Sequence, residues 1–335
     1  MIKPLVFALA LALCAPQPGV AAEAASPAAP AWVARSNTYA EALLEAQAAF
    51  MPEMASQVGL SAYDARVADL GPNQPARYRA AMTAARAKLQ AALQTERDAN
   101  VRQDLQILLH AVDMEIQGSQ LNEALLLPWV DAPQSVFNGI NNLLSDQVPP
   151  ARRAKALDRL KAYVGLTPGS TPFTTLARQR YEEKLANPAL LPPTRLEVER
   201  ALSNVDTYID GIRELFTEYK IAGAEPALAR MAAELKDYAD WTRSTVLPKA
   251  RTDTRLPPQL YAFQLRQVGI DIDPQQLMQR AQVEFMETRA AMQQLAPQVA
   301  KAPGLRDTDY RAVIKALKRG TICLLYTSPS PRDRG

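Results

Sequence analysis

Histidine and cysteine are nearly missing from this 335-residue chain: one His, at position 110, and two Cys, at 14 and 323. A zinc site takes three or four His, Cys or carboxylate ligands at characteristic spacings, and these three residues share no such spacing. A Cys–His nucleophile pair fails for a similar reason, since a single His would have to serve both cysteines. No G-x-S-x-G nucleophile elbow occurs. A surplus of one charge is also absent: 38 basic residues face 35 acidic ones, a formal +3. That excludes the basic excess of a nucleic-acid binder. What is present, 48% apolar and 22% charged residues, describes a globular chain and not a disordered one.

Both ends read as foreign to the fold. Lys3 and the apolar stretch Leu5 to Leu13 form a secretory signal over residues 1–22, with the small residues Val20-Ala21-Ala22 at the cut. A cut after Ala24 is a second option. The apolar core is nine residues, where a spanning helix needs about 20, so no transmembrane span is expected. The expected location is periplasmic or secreted. The alternative is a lipoprotein anchored through Cys14, which the bulky Leu13 disfavours. At the other end, Cys323-Leu-Leu-Tyr-Thr-Ser-Pro-Ser-Pro-Arg-Asp333 matches the in-frame translation of a transposase-type sequencing adapter. Residues 323–335 are therefore expected to be a non-native tail, with the native frame interrupted near Ile322. Lys3, Arg332, Arg334 and Asp333 lie outside 23–322, so this 300-residue helical body carries a net +1 and no cysteine. It must hold together by its core alone, which a chain of this length can build.

The body reads as all-α, a multi-helix array. Period-two alternation and strand-type hairpin turns are missing, while 3.6-residue periodicity is widespread. One helix is expected over 194–220, where Val198, Leu202, Val205, Ile209, Ile212, Phe216 and Tyr219 form a stripe. Thr194 and Glu197 fit a capping box, and Gly223 fits a left-handed stop. Ser36 or Asn37 is expected to cap a first helix to about Met51, restarted by Pro52. A long segment from Pro75 to about Gly118 should divide near Asp98, with Val101, Leu105, Leu108, Val112 and Ile116 facing one way. Further helices are expected at 133–145, 150–163, 173–186, 225–246 and 258–268, then from Pro274 towards Leu295, and from Asp307 or Thr308 to Lys318. The Pro-rich joints at 148–150, 188–193 and 257–258 are short turns between helices.

Candidate chemistry is sparse. His110 has Gln106, Asp113 and Met114 as helix neighbours, which fits a surface histidine better than a catalytic base. Asp271 and Asp273 could bind a cation, but they lack the glycine and distal Glu of a calcium loop, and Asp273 before Pro274 suits a helix cap. Arg251, Asp253 and Arg255 could grip a carboxylate or form an ion-paired turn; the structural role leads. Trp32, Trp129 and Trp241 are dispersed, which favours packing over an aromatic platform. No catalytic, cofactor-binding or metal residue is assigned.

Several stretches together resemble a family. They are Ala31-Trp-Val-Ala-Arg-Ser-Asn37, Val101-Arg-Gln-Asp-Leu105, Leu126-Leu-Pro-Trp129, Val136-Phe-Asn-Gly139, Val246-Leu-Pro-Lys-Ala-Arg251, Arg255-Leu-Pro-Pro258, Leu260-Tyr-Ala262 and Thr308-Asp-Tyr-Arg311. Their order from Ala31 to about Lys318 resembles exported bacterial proteins of the domain of unknown function 885 family. The resemblance implies a zincin-like, mostly helical zinc-dependent peptidase whose His-Glu metal motif lies in a C-terminal half beyond Ile322. It implies zinc and a peptide-like substrate for a longer parent protein. The chain in hand would be the parent's N-terminal helical portion, inactive alone, with no family metal or catalytic position to carry over. The competing reading is a non-enzymatic helical binding or scaffold protein of the bacterial envelope.

Overall fold

A computed structural model describes residues 30–301 and 306–325. The expected signal segment, Cys14 and residues 326–335 lie outside the described residues. Among those described the fold is all-α: helices joined by turns, with two isolated bridges, Leu126 to Leu191 and Thr194 to Arg251. No described helix is long and apolar enough to cross a membrane. The chain divides into two units, Met1–Phe263 and Gln264–Gly335. The division falls inside a helix, where no Ser/Gly-rich linker marks it.

Helix α1 (Ala31–Ala48) starts earlier than expected, directly after Pro30. Ser36 does not cap it. Ser36 sits inside the helix, buried, and its hydroxyl donates to the Asp104 carboxylate. Trp32 explains the early start, because it packs on the first core and draws the leading turn into the helix. Pro52 opens α2 (Pro52–Gln57) as a first-turn residue. Helices α3 (Gln74–Thr95) and α4 (Ala99–Leu125) divide at Asp98, whose carboxylate accepts from the Asn100 N–H at 3.0 Å. Met82, Leu89, Val101, Leu105 and Val112 are almost fully buried between these helices. Each such side chain contributes roughly 1.5–3 kcal/mol. Leu109, and not Leu108, completes the buried face of α4.

A second core joins α5 (Ala132–Asn141), α7 (Ala156–Tyr163), α8 (Phe173–Lys184), α10 (Val205–Glu218) and α11 (Glu225–Trp241), with Ile140, Leu160, Ile209, Ile212 and Tyr238 at its centre. The short α6 (Pro150–Arg153) precedes α7, where one helix over 150–163 is expected from sequence. The stripe over 194–220 also breaks, into α9 (Arg195–Ser203) and α10, at Asn204. The capping box of Thr194 and Glu197 is formed. The break lets one stripe serve two cores: Val198 packs with Leu127, Tyr181 and Val246, while Val205 to Phe216 pack in the larger core. Leu202 touches both. The left-handed residue ending α10 is Lys220 (φ 54°), not Gly223, and the Ile221 N–H returns to the Phe216 carbonyl at 3.0 Å. Gly223 (φ 75°) belongs to the turn before α11.

Helix α12 (Pro258–Gln267) follows Pro257. In the second unit, Asp273 caps α13 (Pro274–Lys301), accepting from the Gln275 N–H at 2.9 Å. That helix runs past Leu295 and through Pro297. Asp309, one or two residues later than expected, caps α14 (Tyr310–Leu325) by accepting from the Arg311 N–H at 2.9 Å. Asp307 instead receives the Asp309 N–H. Helix α14 extends beyond Lys318, so its backbone crosses Ile322–Cys323. Ala296, Ala300, Val313 and Tyr310 form this unit's small core.

Candidate functional site

The residues singled out from sequence stay apart and mostly do structural work. His110 is exposed on α4, and its neighbour Asp113 is engaged by Arg86 at 2.6 Å. Asp273 caps α13, as its place before Pro274 suggests. The Arg251 cluster is a latch. Arg251 Nε donates to the Pro192 carbonyl at 2.9 Å, its backbone N–H to the Pro193 carbonyl at 3.0 Å, and its carbonyl accepts from the Arg195 N–H at 2.7 Å. Asp253 and Arg255 pair in the open; hydrogen bonds from the Arg255 side chain and backbone lower the Asp253 carboxyl to about 2. The cluster fastens the 250–255 turn to the start of α9 and leaves no cradle for an outside carboxylate.

Two polar clusters were not legible in the sequence. The first joins α2, the Ser61–Tyr63 turn and α6. Asp64 is 1% exposed, accepts from Ser56 Oγ at 2.7 Å, and receives Arg152 Nε at 2.8 Å and Nη2 at 2.7 Å. Burial pushes the Asp64 carboxyl up, but the hydrogen bonds from Arg152 and Ser56 together with the charge of Arg152 outweigh it, so it lies below the usual range. Beside it, the fully buried Arg159 donates to the carbonyls of Gly139 at 2.7 Å and Tyr63 at 3.0 Å. Nearly every polar atom here has a partner, which marks a structural hub.

The second group lies on α8 and at the end of α11; Arg178 and Arg180 each pair through Nη2, with Asp237 and Glu183, while several other polar atoms lack partners. Tyr181 Oη, Thr242 Oγ1, Trp129 Nε1, Arg178 Nε, and Nε and Nη1 of Arg180 are buried with no hydrogen-bond partner. Tyr181 is 0% and Thr242 2% exposed. Leaving one such group unpaired costs about 1–3 kcal/mol.

The local backbone is special too. After Trp241 the helix widens into a π turn, Thr242–Val246, in which the Leu247 N–H reaches the Thr242 carbonyl. Pro248 has no N–H to continue the α ladder, and its ring crowds the preceding turn. Single π turns recur at functional sites. Aromatic rings frame the place: Trp241 stacks edge-on to Tyr181 at 5.5 Å, and Arg178 lies 5.6 Å from the Trp241 ring centre. Tyr238 donates to the Val130 carbonyl at 2.8 Å. Burial raises Tyr181 and Tyr238. Burial also raises the Asp131 carboxyl, which caps α5 through the Gln134 N–H. Trp129 and Trp241 are singled out by the sequence, as packing residues; Arg178 and Tyr181 carry no local signal, because Asp237 and Trp241, which they meet, lie in a distant segment.

Zinc, implied by the family resemblance, does not fit this donor set. Among the described residues no group of three or more His, Cys, Asp or Glu could hold a metal ion.

An all-α helical array with a donor-rich buried seam is the class that fold and site define. Residues 52–331 match the family described as bacterial protein of unknown function, DUF885, and the chain belongs to that family. The matched span reaches past Ile322 into the adapter-like segment. No curated protein and no solved structure matches the chain.

Proposed function

We propose that this chain is the helical portion of an exported zinc-dependent peptidase, and that it contributes one wall of a peptide-binding cleft without supplying the metal. The observation that carries this reading is a set of buried donor atoms without partners, Trp129 Nε1 and the Nε atoms of Arg178 and Arg180. A peptide backbone is a series of carbonyl acceptors, and a donor-rich wall complements it. Family membership and the signal-like residues 1–22 support the same reading. In this reading the metal ligands would come from polypeptide beyond Ile322, and zinc would supply the Lewis acid for hydrolysis. This chain's own residues would bind and orient the substrate.

The test is to sequence the native locus across codon 322 and to assay the encoded protein with peptides. The expected result is a continuous frame carrying a His-Glu motif, chelator-sensitive turnover by the longer protein and none by the 335-residue chain. A stop codon soon after 322, or chelator-sensitive turnover by the chain itself, overturns the proposal.

The exposed apolar length of α13 favours a second reading, a helical scaffold of the envelope, which that stop codon would support. Export to the periplasm or medium belongs to both readings; membrane fractionation that depends on Cys14, lost in Cys14→Ser, would mean a lipoprotein.

A further inference from the structure

Eighteen consecutive residues of α13, Met278 to Leu295, are exposed. Only Ala296 and Ala300, near its end, are buried in that unit's core. An exposed helix of this length is expected to be polar all round. This one is not. Met278, Phe285 and Met292 recur every seven residues, and Ala281, Thr288 and Leu295 follow each of them by three. Phe285 is 62% exposed, Met278 59% and Leu295 55%. A seven-residue repeat of this kind is the pattern of a coiled-coil seam, with Met278, Phe285 and Met292 at a and Ala281, Thr288 and Leu295 at d. The stretch is about 27 Å long at 1.5 Å per residue.

The charges beside the seam choose the partner. In this register Glu284 takes position g and Arg289 the following e. In a parallel two-stranded coiled coil, each g residue meets the e residue five positions later on the other strand. Two identical strands therefore place Glu284 against Arg289 twice, once on each side. An antiparallel pair sets g against g and e against e, and the other g and e positions, Leu277, Ala291, Gln282 and Ala296, carry no charge to meet them. Among the described residues neither Glu284 nor Arg289 is engaged in an ion pair of its own.

We infer that α13 is a self-association surface, and that it joins a second copy of this chain as a parallel, in-register pair through the Met278–Leu295 seam. The inference uses no residue of the candidate site and concerns the 335-residue chain.

The test uses the 335-residue chain in sedimentation equilibrium. The unaltered chain is expected to be a dimer that dissociates on dilution. Glu284→Arg alone, or Arg289→Glu alone, should weaken the dimer about tenfold, because two exposed attractions become two repulsions. The double exchange Glu284→Arg/Arg289→Glu should bring the affinity back to within about twofold of the original. Phe285→Lys should give a monomer with unchanged helicity. A chain that stays monomeric at about 100 μM, or a dimer that the single charge reversals leave unchanged, overturns the inference. A monomer that gains mass only when other polypeptide is added also overturns it, and assigns the seam to a different occupant.

Discussion

The Tyr163 hydroxyl of α7 occupies the space where a β-carbon on Gly139 of α5 would stand; that carbon would also lie 3.0 Å from Tyr163 Cζ. The same hydroxyl donates to Glu53 Oε1 at 2.6 Å, and the Gly139 carbonyl accepts from the buried Arg159. Gly139 is therefore a close-approach glycine inside a helix, which ties α5 and α7 to α2.

Gly139→Ala should destabilise the chain by about 1–3 kcal/mol through overpacking, although alanine is the better helix former by roughly 1 kcal/mol. Urea unfolding of both proteins checks the sign. An unchanged or raised midpoint would mean that Tyr163 moves aside freely.

Asp64→Asn should cost about 3 kcal/mol, because it strips the Arg152 guanidinium of its buried carboxylate. The pH dependence has a definite sign. The folded carboxyl lies below its unfolded value, so its contribution is fully present above the unfolded value of roughly 4. It is lost as pH falls through the folded one. The stability gap between the two proteins should therefore shrink on acidification below pH ~4. A gap that is constant down to full protonation would contradict the pairing.

Tyr181→Phe and Thr242→Val each remove a buried hydroxyl that has no partner. Each should leave stability unchanged or raise it by up to about 1 kcal/mol. A loss above ~1 kcal/mol would reveal that an ordered water or a bound group satisfies that hydroxyl.

Arg251→Ala and Arg255→Ala should separate, although the two residues stand four apart. Arg251 holds the 192–195 segment, so its loss should cost about 1–2 kcal/mol. Arg255 is 87% exposed at its side chain. Its loss should leave the melting temperature unchanged while the Asp253 carboxyl, seen by NMR titration, rises from about 2 towards its ordinary value. Equal losses of stability would remove the distinction between latch and surface pair.

Helix α10 ends on Lys220 at φ 54°. A residue with a β-carbon pays about 1 kcal/mol there. Lys220→Gly should therefore raise stability by a fraction of that, since glycine also gains unfolded-state entropy. Thermal unfolding measures it, and a lowered midpoint would show that the lysine stem contributes more than the backbone costs.

Much of the fold was legible in the sequence because its signals are local. The capping box at Thr194 and Glu197, the division at Asp98, the cap at Asp273 and the first-turn prolines at 52, 258 and 274 each act within one turn of helix, and each is found where the sequence places it. The errors share one cause. Ser36 is a plausible cap by residue type, but Trp32 reaches the first core and Asp104, distant in sequence, claims the Ser36 hydroxyl. The unbroken stripe over 194–220 cannot say that its two ends face different cores. Gly223 is the better left-handed residue by chemistry, yet the bond from Ile221 to Phe216 sets the turn at Lys220.

By itself, then, the sequence determined the helical class, most element positions, the scarcity of metal ligands and the family, since periodicity, capping and residue type are carried by neighbours along the chain. Tertiary structure decided which polar groups find partners. Asp64 and Arg152 are 88 residues apart and satisfied; the hydroxyls of Tyr181 and Thr242 are buried and are not. Hydrogen bonding acts over about 3 Å, so only the folded arrangement of distant segments could bring acceptors to the first pair and withhold them from the second.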